Sequence, residues 1–423
     1  MHLAGLLHCL LLIGVTYGNK SSRFLTTDSN GQEDTIDTVL KRVSGVYREE
    51  AGKAPKYPEL KDTVMITGCN HGFLNHLENF KCFADRLNMK FLVIALDKKT
   101  HDYLRLNTTM ESIFMNTGAG GVGEESATFR SAQFNIITAR KKEAVHDVLE
   151  LGYDVLFTDT DVALIRDPFP YLLWKDVDYV HSLNVICSNE DHWDFRNTPK
   201  EEGNTGFYYV KSNPRTIKLW QRAYEAVPKY PGLDDQAVFW RVIRQSTDPE
   251  IVPLGVCRDF DPASSDSKGS RLLGEGEEKE GGEKDKDKEA AIPLVTCRLD
   301  PCVFSSGMLS RVWIPEYTYE ALVDNVALRN ETICALHANY LSGNTPKMQR
   351  MQEYGFWLAS KREMIGLEND GSSKAAHHHH HHAKHHESED WGGKCSDFVL
   401  RKVTTEEHES NQVRRKLRHL SRN

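Results

Sequence analysis

The chain has nine cysteines and 19 histidines but no CxxC pair and no alternating Cys/His spacing, so nothing in it spells a structural zinc site. It has no surplus of positive charge. Against 61 acidic residues stand 53 Lys and Arg, a formal net charge of -8, which gives no general attraction for nucleic acid. Any anion must therefore be held locally. No 20–50-residue repeat is visible, which excludes a solenoid or propeller. Nor is there a Ser/His/Asp set with recognisable spacing. The N-terminal apolar run, Leu3 to Val15 with only His8 interrupting it, is shorter than the ~20 residues that cross a bilayer. It also lacks the Lys or Arg that usually precedes a signal core.

What is present describes a globular protein. A 39% hydrophobic and 27% charged content over 423 residues suits one α/β catalytic domain with extensions, or two to three average domains. Thr16 and Gly18 are small residues spaced like positions −3 and −1 of a cleavage site, so residues 1–18 read as a secretory signal. An uncleaved signal-anchor holding the chain to a membrane is the alternative. Sequons at Asn19, Asn107 and Asn330 agree with entry into the secretory pathway. Eight cysteines remain if Cys9 leaves with the signal, and an oxidising lumen permits disulfides whose pairing the sequence does not give. Residues 19–57 read as a polar stem and 58–367 as the catalytic domain. Within that domain, 264–290 is a Ser/Gly/Glu/Lys insertion expected to be disordered, because it has too little apolar surface to offset its ordering entropy. Residues 368–423 form a polar, His-rich and then basic tail. A low-complexity tract or tag is the simpler reading of it, ahead of metal chelation.

Inside the domain, Val64 to Thr67 is a short apolar run ending at Gly68, as a buried strand would be. Phe73, Leu77, Phe80, Ala84 and Leu87 recur at helical spacing, and Phe91 to Leu96 is apolar on both faces. Strand, helix and strand in that order make a βαβ unit and imply a parallel sheet. A second unit follows: a helix over Lys141 to Leu151, stopped by Gly152, then a strand over Tyr153 to Thr158 that runs into Asp159-Thr160-Asp161. Phe207 to Val210 reads as another strand, and Pro214 as the first residue of a further helix.

In an open α/β sheet, ligands bind beyond the carboxyl ends of the strands. Two carboxylates aimed at one spot there repel unless a cation lies between them, and oxygen ligands suit Mg²⁺ or Mn²⁺ with positions left for phosphate. Asp159 capping the following turn is the plain alternative. A haloacid-dehalogenase-type phosphatase is a second chemical reading, although that family wants its motif at the first strand and a Thr or Val where Ala163 stands. A non-catalytic lumenal sugar-binding module is a third.

The segments Lys141-Lys142-Glu143, Leu149 through Val162 and Arg166-Asp167-Pro168 resemble the nucleotide-diphospho-sugar transferase domain. So do Asn204-Thr205-Gly206-Phe207, Asp234-Asp235-Gln236-Ala237, and His337-Ala338-Asn339-Tyr340 with Gly343 and Lys347. That domain is shared with glycosyltransferase family 77, whose members include plant and algal xylosyl- and arabinosyltransferases. The resemblance implies a GT-A-type, Rossmann-like α/β fold: a mixed, mostly parallel sheet with helices on both faces. It also implies a nucleotide-sugar donor, usually UDP-linked, a glycan or glycoprotein acceptor, a Mn²⁺ or Mg²⁺ cofactor, retention of configuration, and the Golgi lumen. Carried over residue by residue, Asp159, Asp161 and His337 would hold the metal, with Asp161 the more direct ligand. Lys347 would face the diphosphate. Asn204, Asp235 and Gln236 would face the sugar, while Asp234 caps their helix. Thr67, Gly68 and Asn70 would lie near base and ribose. Arg140 and Lys141 are expected to open a helix whose N-terminus favours phosphate. The Thr67–His71 stretch is only loosely like the family's, and the insertion and tail have no counterpart in it.

Overall fold

A computed structural model describes residues 24–25, 34–115, 123, 127, 129–184, 203–248, 253–256, 294–301, 303–306, 333–339, 341–353, 355–359 and 395. The expected signal, acidic insertion and His-rich tract lie outside these residues.

The main sheet holds nine strands: β1 (Phe24–Leu25), β2 (Thr63–Cys69), β3 (Leu92–Ala95), β4 (Ser112–Met115), β5 (Asp154–Thr158), β7 (Tyr179–Leu183), β8 (Gly203–Val210), β9 (Pro253–Val256) and β10 (Leu294–Arg298). Their order is β1-β4-β3-β2-β5-β8-β7-β10-β9. The pairings around β4-β3-β2-β5 and β7-β10-β9 are parallel; those of β1 with β4 and of β8 with both its neighbours are antiparallel. A second sheet orders β11 (Phe304–Ser306), β12 (Ala335–His337) and β6 (Val162–Leu164). This is the mixed, mostly parallel α/β sheet expected.

Successive residues of the central strands feed two different cores, as the period of two requires. Val64, Ile66, Val155, Phe157, Tyr208 and Val210 face one side. There they meet α1 (Ile36–Val43), α4 (Ala132–Glu150), α5 (Pro214–Ala226) and α6 (Asp235–Gln245). Met65, Leu156, Phe207 and Tyr209 face the other, against α2 (Leu74–Arg86) and the small sheet. Two further helices are α3 (Lys98–Asn107) and α7 (Asn344–Glu353). No helix among the described residues is long and apolar enough to cross a membrane.

Three local features differ from expectation. First, α4 begins at Ala132, capped by the Ser131 hydroxyl accepting from the Phe134 N–H at 3.1 Å, not at Lys141. Before Ala144 it buries Asn135, Thr138, Lys142 and Glu143 with only Ile137 as a large apolar residue, so the apolar stripe that marks a helix is continuous only from Ala144 onward. Arg140 and Lys141 are therefore mid-helix, and the helix N-terminus plays no part in what they bind. Second, α1 lies in the segment read as a polar stem, yet Ile36, Val39, Leu40 and Val43 are buried in the core beneath the sheet. Third, Cys395, in the segment read as a free tail, is disulfide-bonded to Cys82 of α2.

Candidate active site

The acidic motif sits at the joint between the two sheets. Asp159 follows β5, and its N–H donates to the Gly206 carbonyl of neighbouring β8 at 2.7 Å. The chain turns over Thr160, the Val162 N–H reaching back to the Asp159 carbonyl, and enters β6. There β6 pairs antiparallel with β12 so that Val162 faces His337. That register brings the imidazole to the motif across 176 residues of sequence. His337 Nε2 lies 3.3 Å from Asp161 Oδ1 and 3.8 Å from Asp159 Oδ2.

Each motif carboxylate also has its own lysine. Lys141 Nζ is 2.7 Å from Asp159 Oδ1, and Lys347 Nζ, from the first turns of α7, is 2.5 Å from Asp161 Oδ2. Burial alone would raise the Asp161 carboxyl; Lys347 and His337 outweigh it and hold that group well below the ordinary carboxylate range. Burial acts to lower the Lys141 ammonium in the same way, but Asp159 more than compensates and its pKa is raised. Both groups are thus kept charged.

A third pair stands behind. Asp235, at the start of α6, is ion-paired with buried Lys142 and accepts from the Thr205 hydroxyl at 3.0 Å. Burial would raise this carboxyl too; Lys142 and Thr205 turn the shift downward. Asp234 caps α6 through the Ala237 N–H at 2.9 Å, as the sequence suggests, and is gripped by Arg130 at 2.8 Å. Adjacent Asn204 of β8 donates toward Gln236 Oε1 at 3.4 Å, and its neighbour Thr205 holds Asp235, so Asn204, Asp235 and Gln236 lie together at this end of α6.

The remaining expected donor-side residues have these neighbours. Thr67 is fully buried within β2. A side chain at Gly68 would stand 2.8 Å from Lys141 Cγ, so this glycine makes room for the lysine stem on its way to Asp159. Asn70 is buried and donates to the Gly123 carbonyl at 3.0 Å. Arg140 is ion-paired with Glu143 one turn along α4.

Two contributors were not singled out from sequence. Lys142 was read only as part of a matching segment. Gly206 was too, yet a Cβ there would stand 2.4 Å from His337 Cε1 and 2.6 Å from Asp159 Oδ2. The bare backbone at 206 is what lets those ligand groups approach each other.

Two carboxylates and an imidazole, with ligand atoms all within 4.8 Å of one another, form a donor set that fits a Mn²⁺- or Mg²⁺-class cation. The other such grouping among the described residues, His146, Asp147 and Glu150, is local to one turn of α4. Fold and site together define a Rossmann-like α/β protein with an acidic, lysine-countered centre at the carboxyl edge of its sheet. The nucleotide-diphospho-sugar transferase family model matches residues 87–351, and the chain belongs to that family.

Among curated relatives, the chain is 26% identical over 311 residues to the beta-arabinofuranosyltransferase RAY1 of Arabidopsis thaliana, covering 72% of this chain and 49% of that protein. It is 24% identical over 337 residues to the UDP-galactose:fucoside alpha-3-galactosyltransferase of Dictyostelium discoideum, covering 74% and 45%. It thus spans about half the length of these relatives. Among solved structures, the galactosyltransferase LgtC overlaps 66% of this chain and 87% of its own at 12% identity, with a TM-score of 0.34. That superposition is too loose for residue-by-residue comparison.

Proposed function

We propose that this protein is a metal-dependent glycosyltransferase. It moves a sugar from a nucleotide-sugar donor, UDP-linked, to a hydroxyl of a glycan or glycoprotein with retention of configuration, in the lumen of the secretory pathway. The observation that carries this reading is the convergence of Asp159, Asp161 and His337 with Lys141 and Lys347, in a chain of this family. The names of the relatives, which transfer arabinofuranose and galactose, support the donor class. The Cys82–Cys395 disulfide suits an oxidising lumen.

Asp159, Asp161 and His337 would hold a divalent cation, which when bound neutralises charge on the departing diphosphate. Lys141 and Lys347, ion-paired with Asp159 and Asp161 here, turn to phosphate oxygens and stabilise the leaving nucleotide. Asn204 and Gln236 hydrogen-bond the sugar. Asp235, kept ionised by Lys142, orients hydroxyls from behind. Because three carboxylates are matched by three lysines, a divalent cation and a diphosphate enter most favourably as a neutral pair.

The test is a donor screen across UDP-xylose, UDP-arabinose and UDP-galactose with Mn²⁺, following nucleotide diphosphate release. Asp161→Ala is expected to lose ~10²-fold or more, corresponding to several kcal/mol of charge stabilisation. Full activity of that variant in the presence of chelator would overturn the reading.

A further inference from the structure

The sugar-facing amides belong to a longer relay whose polarity is dictated by one backbone group. The Gly206 N–H donates to Asn204 Oδ1 at 2.7 Å. A main-chain N–H can only donate, so the end of Asn204 that it meets must be oxygen, and the opposite end must be the NH₂. That NH₂ donates to Asn184 Oδ1 at 2.9 Å and toward Gln236 Oε1 at 3.4 Å. Asn184 Oδ1 takes a second N–H, from Asn339 Nδ2 at 2.9 Å, and Asn339 Oδ1 in turn accepts from the Ser306 hydroxyl at 2.9 Å.

The relay therefore crosses from the main sheet to the small one. Asn184 follows β7, Asn204 lies in β8, Gln236 in α6, Asn339 two residues beyond the metal-side His337, and Ser306 ends β11. Asn184 is the hub, since its one carbonyl oxygen collects both amides. With its hydrogens committed, Asn204 meets a ligand only through the remaining acceptor capacity of Oδ1. Gln236, its oxygen turned toward Asn204, presents its NH₂. An acceptor beside a donor matches a sugar hydroxyl, which both gives and takes a hydrogen bond.

We propose that Asn184 is a positioning residue for donor-sugar selection: with the polarity of Asn204 set by the Gly206 N–H, the Asn184 carbonyl oxygen anchors the NH₂ end of Asn204, and through it the placement of Gln236, relative to the His337 strand. The inference rests on the glycosyl-transfer reading above and adds to it a residue that does not itself touch the sugar. A site built to satisfy a particular hydroxyl discriminates strongly against sugars that lack or misplace it, whereas one whose amides are free to shift does not.

The experiment measures calorimetric dissociation constants, with Mn²⁺ present, for UDP and for UDP-xylose, UDP-arabinose and UDP-galactose. It compares wild type with Asn184→Leu, which keeps the size but removes the acceptor, and with Asn184→Asp, which keeps the acceptor. In Asn184→Leu, UDP affinity is expected to stay within about twofold, while the spread of affinities among the three UDP-sugars collapses by about tenfold, the loss of one or two net hydrogen bonds. Asn184→Asp is expected to retain the spread. Should Asn184→Leu not fold, Asn184→Ala, which adds no bulk, carries the same expectation. If wild type binds none of the UDP-sugars, the glycosyl-transfer reading fails and takes this one with it. If wild type discriminates and both acceptor-less variants keep that discrimination, or Asn184→Asp loses it, only the role of Asn184 is overturned.

Discussion

At Gly206 the site depends on an atom the residue does not have. Its missing Cβ leaves the volume into which His337 Cε1 and Asp159 Oδ2 close, and those are groups of the cation site, not the far end of a flexible chain. Gly206→Ala is expected to fold with β8 intact but to push the imidazole away from Asp159. Transfer should fall by ~10²-fold, since displacements near 1 Å are that costly to catalysis. Circular dichroism and the thermal midpoint check the fold, and diphosphate release checks the activity; an alanine variant with wild-type turnover would show that the close approach is dispensable. The acidic motif, His337 and Lys347 were legible because each stands beside an apolar strand or in a segment resembling the family. Asn184 was not. An asparagine after a strand carries no local signal, and its meaning comes only from partners 20 and 155 residues away.

Element boundaries show the same division. Strands β2, β3 and β5 were readable because buried sheet strands are continuous apolar runs, β8 only over Phe207–Val210 because its first half, Gly203 to Gly206, carries no large apolar residue, and α5 because Asn213-Pro214 is a start signal: Asn213 does form a capping box with Thr216. The N-terminal half of α4 was unreadable because its buried residues are mostly polar: Asn135 donates to the Pro231 carbonyl and Thr138 bonds back to its own helix, leaving Ile137 as the one buried aliphatic there. Helix α1 is a different case. Ile36, Val39, Leu40 and Val43 follow the i, i+3, i+4, i+7 pattern with Thr35 as cap, and the signal was overshadowed by the polar residues on either side. Because Leu40 is fully buried, Leu40→Ala is expected to cost about 2–5 kcal/mol of stability with the site untouched. A denaturant titration reads this directly. A loss below about 0.5 kcal/mol, ordinary for a surface position, would return α1 to the status of a stem.

For the whole molecule, the strand–helix–strand pattern and the family resemblance foresaw the sheet class, while composition alone bounded little beyond a globular core. The resemblance did not foresee how the two sheets are joined. Asp159 directly follows a strand of the large sheet, Asp161 directly precedes a strand of the small one, and a single residue, Thr160, separates them. With His337 contributed by the next strand of the small sheet, the three ligand groups are split across the seam. A bound cation and diphosphate would then act as a rivet, adding a tie to a seam that the backbone crosses at more than one place, the Asp159–Val162 turn and the connection between β10 and β11 among them. Loading the protein with Mn²⁺ and UDP at 100 times the dissociation constant should stabilise it by about 2.7 kcal/mol. The gain should be spatially uneven: amide hydrogen exchange should slow most in β6 and β12 and least in β3 and β4 at the far side of the large sheet. Uniform protection, or none in the small sheet, would mean the seam is already rigid without its ligand. If the rivet holds, substrate does more than fill this site; it adds a polar clamp at the edge where two sheets that share an apolar core meet around charged groups.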